Sequence, residues 1–488
     1  MKAKILKIFV VTALLFCLVT SMFGVSADGK SNGVYSDSSF SYIYGKGNNG
    51  TYVVPSPSTF LTEYVVDSDS LGKNLNNPQH IINDSKGNYY IVNTGDNNII
   101  ITDKNFNHKK TLKGFKNKAG NDTFSQPYGC FVTKKGDIYI ADTGNQRIVI
   151  LDKKYKLKSI IEKPEDDVLS DDFKFEPQKV VVDSAGRIFV VAKGAYEGIM
   201  QFYHDGSFIG YIGSISVEAD SLEIIWKKLL SSEQAKKREQ FIPVTYTNIF
   251  LDSEEFLYTV SLSKNTSTPI RRLNPGGTDV LSRNGLNSDE VKGDLMEGVE
   301  SQFMAICADK SGVYYAADSS KNRIFAYDED GNLLSAFGSR DGQQDGNFRN
   351  VSSMLSVDDY LLVVDSISNN ITALKKTEYM DCIIDGLTAY RNGDYKEGKI
   401  YWENVISLNS NFDLAYSKLG MIEIRNGNYK TAMEYFKIAD DKENYSRAYV
   451  KDRRIWYVEN LSKILTVLAV VVVLIVGFVI YRKRRNKK

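Results

Sequence analysis

Three observations predict a mainly β chain: a six-bladed β-propeller, then a small α-helical domain and one transmembrane helix. First, a unit of three short strands and two polar turns recurs at Pro78–Asp103, Pro127–Leu151, Pro177–Tyr203, Asn248–Leu273, Met304–Asp328 and Val351–Leu374. Second, the glycines of the first turns, Gly87, Gly136 and Gly186, stand about 50 residues apart, which is the period of a propeller blade. Third, the period shortens beyond residue 377, and the chain closes with an uncharged apolar run.

The unit is clearest at Pro127–Leu151. Cys130–Thr133, Ile138–Ala141 and Arg147–Leu151 are apolar, β-branched runs, separated by Lys134–Asp137 and by Asp142–Gln146. Short apolar runs bounded by Gly, Asp and Asn read as strands of a meander. A fourth strand is expected after five of the units, at Lys110–Phe115, Leu157–Glu162, Phe208–Ile212, Asp279–Leu281 and Leu334–Phe337. The sixth unit has no such segment, whereas Phe60–Val66 precedes the first unit with nothing to pair with. Residues 60–66 are therefore expected to complete the last blade, which closes the ring and removes two exposed sheet edges.

The run from Gly136 to Ile148, Gly-Asp-Ile-Tyr-Ile-Ala-Asp-Thr-Gly-Asn-Gln-Arg-Ile, resembles the NHL repeat. In that family the Asp–Arg pair is chiefly a tie between turn and strand. The resemblance thus implies a structural role for Asp142 with Arg147 and Asp318 with Arg323, and for the related pairs Asn93 with Asn98 and Asp365 with Asn370.

Residues 1–27 carry Lys2, Lys4 and Lys7, an apolar run and Val25-Ser26-Ala27, the layout of a signal peptide. Residues 28–59 read as an irregular lead-in with one strand near 40–44, and residues 60–377 as the propeller. Two insertions interrupt it: a helical one at 214–241, with Trp226 on its apolar stripe, and an acidic loop at 283–301. In residues 378–460 the landmarks Gly386, Gly393, Tyr395 and Trp402 recur 34 residues later as Gly420, Gly427, Tyr429 and Phe436. This resembles two tetratricopeptide repeats, with Gly398 in place of the usual Ala and Ser410 and Asn444 in place of the usual Pro. Tyr445–Asn460 is expected to cap them. Residues 461–481 are long enough to cross a hydrocarbon core, and the six basic residues of the tail 482–488 place that end in the cytoplasm. The expected location is the plasma membrane, as a single-pass protein with its bulk outside the cell.

The loops entering each first strand gather at one mouth of the central channel. That places a candidate ligand-binding ring at Gln79, His80, Tyr128, Gln178, Lys179, Tyr246, Asn248, Gln302, Phe303 and Asn350, with Trp226 as part of a lid. These positions hold no carboxylate, the chain has three histidines, and no GxSxG or phosphate-loop motif occurs. The expectation is a protein that is not an enzyme and needs no cofactor or metal. Cys130, Cys307 and Cys382 have no metal or disulfide spacing and read as buried thiols. Apart from the basic ends the chain is acidic, which argues against nucleic acid. A surface binding or scaffold protein engaging a protein partner or a glycan is the expected function. The order of segments resembles membrane-tethered NHL propellers of Gram-positive bacteria, which implies a sugar ABC transporter as partner. The alternative is a propeller-type hydrolase or lactonase acting on a sugar-derived substrate.

Overall fold

The computed structural model describes residues 41–47, 50–165, 169, 173–214, 245–262, 268–286, 291–295, 300–339 and 346–486. Six antiparallel sheets form the blades. Their strands are, for blade 1, Pro78–Asn83, Tyr89–Asn93, Asn98–Thr102 and His108–Leu112, and for blade 2, Pro127–Val132, Ile138–Asp142, Arg147–Leu151 and Leu157–Ile161. Blade 3 holds Glu176–Val182, Ile188–Lys193, Ile199–Phe202 and Phe208–Ile212, and blade 4 Tyr246–Leu251, Leu257–Ser261 and Ile270–Leu273. Blade 5 holds Phe303–Ala308, Tyr314–Asp318, Arg323–Tyr327 and Leu333–Phe337, and blade 6 Val351–Val357, Tyr360–Asp365 and Asn370–Lys376. The first strands touch one another in cyclic order, and that of blade 6 returns to that of blade 1. The apolar faces of successive blades pack together to form the core.

Phe60–Val66 is the fourth strand of blade 6. It runs antiparallel to Asn370–Lys376, from Val66 opposite Ile371 to Phe60 opposite Lys376. The early and late parts of the propeller are thus sewn into one sheet, and Phe60 also packs against Phe337 of blade 5 at 5.0 Å between ring centroids.

Two expectations need correction. The fourth strand of blade 4 is reduced to a single bridge between Leu273 and Asp279. There the Asp279 carboxylate accepts from the N–H groups of Arg272 and Leu281 and from the Arg283 guanidinium, a local cap that ends the ladder. The lead-in is more ordered than its composition suggests. Strands β1 (Tyr42–Gly47) and β2 (Gly50–Pro55) form a hairpin whose Tyr42 pairs with Ala336, widening blade 5 to six strands. Long-range contacts fix it: the Tyr42 ring lies 4.9 Å from the Arg323 guanidinium, and the Tyr44 hydroxyl donates to Asp294 at 3.1 Å. Asp294 also pairs with Lys321 at 2.8 Å, so this part of the 283–301 loop anchors the hairpin. The signal peptide at 1–27, Trp226 and nearly all of the 214–241 insertion lie outside the described residues.

In blades 1, 2, 5 and 6 the Asp or Asn that ends the second strand ties it to the chain entering its own blade. Asn93, Asp142, Asp318 and Asp365 accept from the backbone N–H of Asn76, Ser125, Gln302 and Arg349, at 2.6–2.8 Å. Asp142 also pairs with Arg147 at 2.8 Å, while buried Arg323 lies under Tyr42.

The chain then turns helical: α1 (Glu378–Asn392), α2 (Tyr395–Leu408), α3 (Asp413–Asn426), α4 (Tyr429–Ile438) and α5 (Lys442–Arg485). Helices α1 with α2 and α3 with α4 make hairpins closed by one device, an aromatic ring over a glycine. A Cβ on Gly386 would lie 2.9 Å from Trp402, and one on Gly420 only 2.5 Å from Phe436. Gly398 is different. A Cβ there would meet Ala389 and Ile422 at 3.6 Å, an ordinary contact. Gly398→Ala is therefore expected to stabilise the helical region by about 0.5–1 kcal/mol, because glycine in a helix interior costs that much backbone entropy. Gly420→Ala is expected to destabilise it by about 1–3 kcal/mol through overpacking. Thermal or urea unfolding of the two variants checks both signs.

The helical region shares a core with blades 5 and 6, in which Tyr379, Met380, Ile383, Trp402 and Leu414 join Phe60, Tyr315 and Phe337. Buried Lys418 of α3 reaches the third-to-fourth-strand turn of blade 5, 3.2 Å from Asp330 and 3.8 Å from Asp328. Helix α5 is 44 residues long. It packs through Ala448 against Ala432 and Phe436 and continues without a break into a segment long and apolar enough to cross a membrane.

Candidate functional site

Every first strand has a register shift near its start, between Pro78 and His80, Pro127 and Gly129, Pro177 and Lys179, Tyr246 and Asn248, Phe303 and Ala305, and Val351 and Ser353. A bulge of this kind re-aims the side chains on either side of it. The residues after the shift form one ring: His80, Gly129, Lys179, Asn248, Ala305 and Ser353.

Most polar members of this ring bond to the neighbouring blade. His80 Nδ1 accepts from the N–H of Cys130 at 3.3 Å, Asn248 Nδ2 donates to the Met304 carbonyl at 3.0 Å, and Ser353 Oγ accepts from the N–H of Ile81 at 3.3 Å. Lys179 reaches further. Its Nζ donates to the Gln79 carbonyl at 2.9 Å, which links blade 3 to blade 1 past blade 2. Blade 2 lets it pass because its ring position is Gly129, where a Cβ would lie 2.4 Å from the Gln178 carbonyl oxygen and 3.3 Å from Lys179 Cδ. The ammonium also sits 5.3 Å from the centre of the Tyr128 ring, a cation–π distance.

Enclosure by the inner strands sets the protonation of this cluster. Burial pushes the Lys179 amine down to about 7, against the opposing influence of Cys130. Burial, with the Lys179 charge, holds the His80 imidazole well below its usual range. The Cys130 thiol is pushed up to about 12 by burial and stays protonated. The channel at this level holds a neutral imidazole beside an amine that exchanges its proton near neutrality.

A stability test follows from the sign of the Lys179 shift. Between pH 7 and 10 the unfolded chain keeps the lysine proton while the folded chain releases it, so folding stability rises with pH in this window. The advantage of wild type over Lys179→Met is expected to grow by up to about 1.4 kcal/mol per pH unit there. Urea unfolding of both proteins across that range measures it, and parallel curves would contradict the shift.

The expected ring is only partly assembled. Gln79, His80, Tyr128 and Lys179 converge, and Gln178 and Asn248 lie on the same strand entries. Phe303 does not belong: it is fully buried and packs edge-to-face on Phe325, because it precedes the bulge and takes the opposite direction. Tyr246 precedes its bulge too; it is buried and its hydroxyl donates to the Gly213 carbonyl. Asn350 bonds to Ser366 Oγ at 2.7 Å, and Gln302 is tied by its backbone to Asp318 and Ser319, so both serve turn structure. Sequence reasoning missed Gly129. Its signal was a glycine where other blades carry a side chain, one blade before a lysine. Among the described residues, no three His, Cys, Asp or Glu side chains are grouped as metal ligands.

The fold and its channel define a six-bladed β-propeller carrying a helical region and one candidate membrane helix. No family model matches the sequence, and no curated protein is significantly similar to it. Solved structures with a similar architecture include virginiamycin B lyase from Staphylococcus aureus, at 11% identity over 70% of this chain and 96% of that one, TM-score 0.38. The extracellular domain of a one-component system from B. thetaiotaomicron matches at 9% identity over 70% of this chain and 38% of that one, TM-score 0.37. A protein described as a gluconolactonase matches at 10% identity over 66% of this chain and 94% of that one, TM-score 0.39. Likeness at this level concerns the fold alone. It nevertheless corrects the expectation that the chain is not an enzyme. Solved structures that match this architecture include a lyase and a protein described as a gluconolactonase, so the expectation is not kept.

Proposed function

We propose that the chain is a membrane-anchored recognition protein, which displays its propeller outside the cell and offers the loop-rich channel mouth and the helical repeats to a glycan or a protein partner. The observation that carries this reading is the continuity of α5. One helix begins in the packed helical region and runs through an apolar stretch to the basic run Arg482–Arg485. A basic flank of this kind remains on the cytoplasmic side, which puts the propeller on the other. The 34-residue repeat of α1–α4 is of the tetratricopeptide kind on this reading, and a sugar-transporter subunit is the partner that the segment order suggests.

Two measurements test it. Protease added to intact cells is expected to degrade the propeller while sparing the tail; a propeller digested only after lysis would sink the topology. Full-length protein in detergent is expected to retain a glycan or a transporter subunit, and to lose it when Gln178 and Tyr128 are replaced by alanine. Retention unaffected by those changes would move the site elsewhere. A second reading, hydrolysis of a lactone at the channel, is favoured by one observation: the buried Lys179 amine, pushed down to about 7, lies in one cluster with the neutral imidazole of His80. Lactone turnover abolished in Lys179→Met would support it.

A further inference from the structure

The face of the propeller that carries the first-to-second and third-to-fourth strand turns is divided by charge. On blades 4 and 5 these turns present Glu254, Glu255, Asp309, Glu329 and Asp330. The helical region docks on this acidic side with basic residues: Arg391 pairs with Glu329 at 2.7 Å, and Lys418 with Asp330 at 3.2 Å. The turns of blade 2 have the opposite character. Lys135, Lys153, Lys154, Lys156 and Lys158, with Asp137 and Asp152, line a concavity of about 480 Å³. All five lysines are exposed.

The two carboxylates offset only part of this charge. Asp137 is taken by Lys158 at 2.9 Å. Asp152 accepts from the backbone N–H groups of Lys154 and Lys156 at 2.8 and 2.9 Å, which closes its turn. Lys135, Lys153, Lys154 and Lys156 form no ion pair with another described residue. With five lysines against two carboxylates, the hollow keeps a net positive charge that favours an anionic partner. The hollow holds no arginine, so it lacks the planar fork that fits carboxylate and phosphate bidentately, and its lysines act as point charges that bind phosphate without one fixed geometry.

We propose that this lysine hollow on blade 2 binds a soluble linear polyanion with closely spaced phosphate groups. The same surface could meet phosphate on a bilayer, but the anchor argues otherwise. From Ala448, the buried residue of α5, to Leu461 the helix rises about 20 Å. Charges beyond the screening length of about 8 Å at physiological salt scarcely sense a lipid surface. This inference stands apart from the channel-mouth reading and uses none of its residues.

The test is calorimetric titration of sodium polyphosphate into the full chain in a non-ionic detergent. Binding is expected, with affinity falling steeply as salt is raised. The combined variant Lys135→Gln, Lys153→Gln, Lys154→Gln and Lys156→Gln is expected to weaken it at least about tenfold at low salt. Its thermal unfolding should match wild type, since all four side chains are exposed. The corresponding Lys→Arg variant should retain binding. The tail variant Arg482→Gln, Lys483→Gln, Arg484→Gln and Arg485→Gln should also bind as wild type does. Equal affinity in the hollow variant, or loss confined to the tail variant, would overturn the proposal. So would a dependence on the same four lysines that appears only with vesicles containing phosphatidylglycerol and not with polyphosphate.

Discussion

Replacing Lys418 by alanine is expected to destabilise the junction between helices and propeller by about 3–5 kcal/mol, the range for removing one partner of a buried ion pair. Lys418 and Asp328 are both almost wholly buried. Burial alone draws the lysine down, but Asp328 and Asp330 together outweigh it and leave the amine raised. Burial lifts the Asp328 carboxyl above its ordinary value even though Lys418 opposes the lift. Without the lysine, Asp328 keeps its bonds from Asn332, at 2.8 Å from the backbone and 2.7 Å from the side chain, but loses its counter-charge. An acid whose folded pKa is raised loses stability as pH climbs from the unfolded value through the folded one. The deficit of Lys418→Ala should therefore be smaller at about pH 5 than at pH 8. Lys418→Met keeps the aliphatic stem and separates lost charge from lost packing. Urea unfolding at the two pH values, followed by tryptophan fluorescence from Trp402, checks both statements. A pH-independent deficit would mean that packing alone holds the junction.

The second large effect is expected from removing the closing strand. A chain secreted without the segment that ends at Pro57 loses the β1–β2 hairpin but retains Phe60–Val66, and it should still give a protease-resistant propeller of reduced stability. A chain starting after Val66 should give none. Blade 6 would then expose the edge of Asn370–Lys376, and Phe60 would vacate its place against Tyr315 and Phe337. Phe→Ala alone in such a setting costs about 3–5 kcal/mol, and here the strand's ladder is lost as well. Adding residues 58–66 back after the C-terminal end of the propeller is not possible without displacing α1, because Thr377 already bonds to the Ser58 and Thr59 carbonyls. A synthetic peptide of that segment supplied during refolding is the better rescue, and limited proteolysis reads the outcome. A resistant core without the strand or the peptide would show that the ring closes by other means.

Much of this fold was legible because blades repeat a chemical pattern. The turns between strands are set by Asp or Asn, and the second strands are continuous apolar runs such as Ile138–Asp142, buried along their length. The orphan segment Phe60–Val66 could be assigned by elimination, since one blade lacked a strand and one strand lacked a blade. What escaped depended on pairings far apart in sequence. The β1–β2 hairpin is rich in Tyr and Gly, and only the outer edge of blade 5, with Arg323 and Asp294 nearby, makes it a strand pair. At the candidate site the difficulty was parity. Alternation along a strand fails by one residue at a bulge, and each first strand has one where ligand-facing side chains were sought. That is why Phe303 and Tyr246 turned inward while His80 and Lys179 kept their places. The crossing of Lys179 to Gln79 needs three blades at once, and no single repeat encodes it.

Helix α5 has no hinge between the packed helical region and its apolar stretch, which is long enough to cross a membrane. At about 1.5 Å per residue its 44 residues form a rod of roughly 65 Å. A rod fixed at one end to a rigid body transmits rotation as well as position. Any neighbour in the membrane that grips the apolar stretch and twists it by a given angle would swing the whole propeller through the same angle. Its lysine hollow and its channel mouth would then sweep arcs in register, like two hands on one shaft.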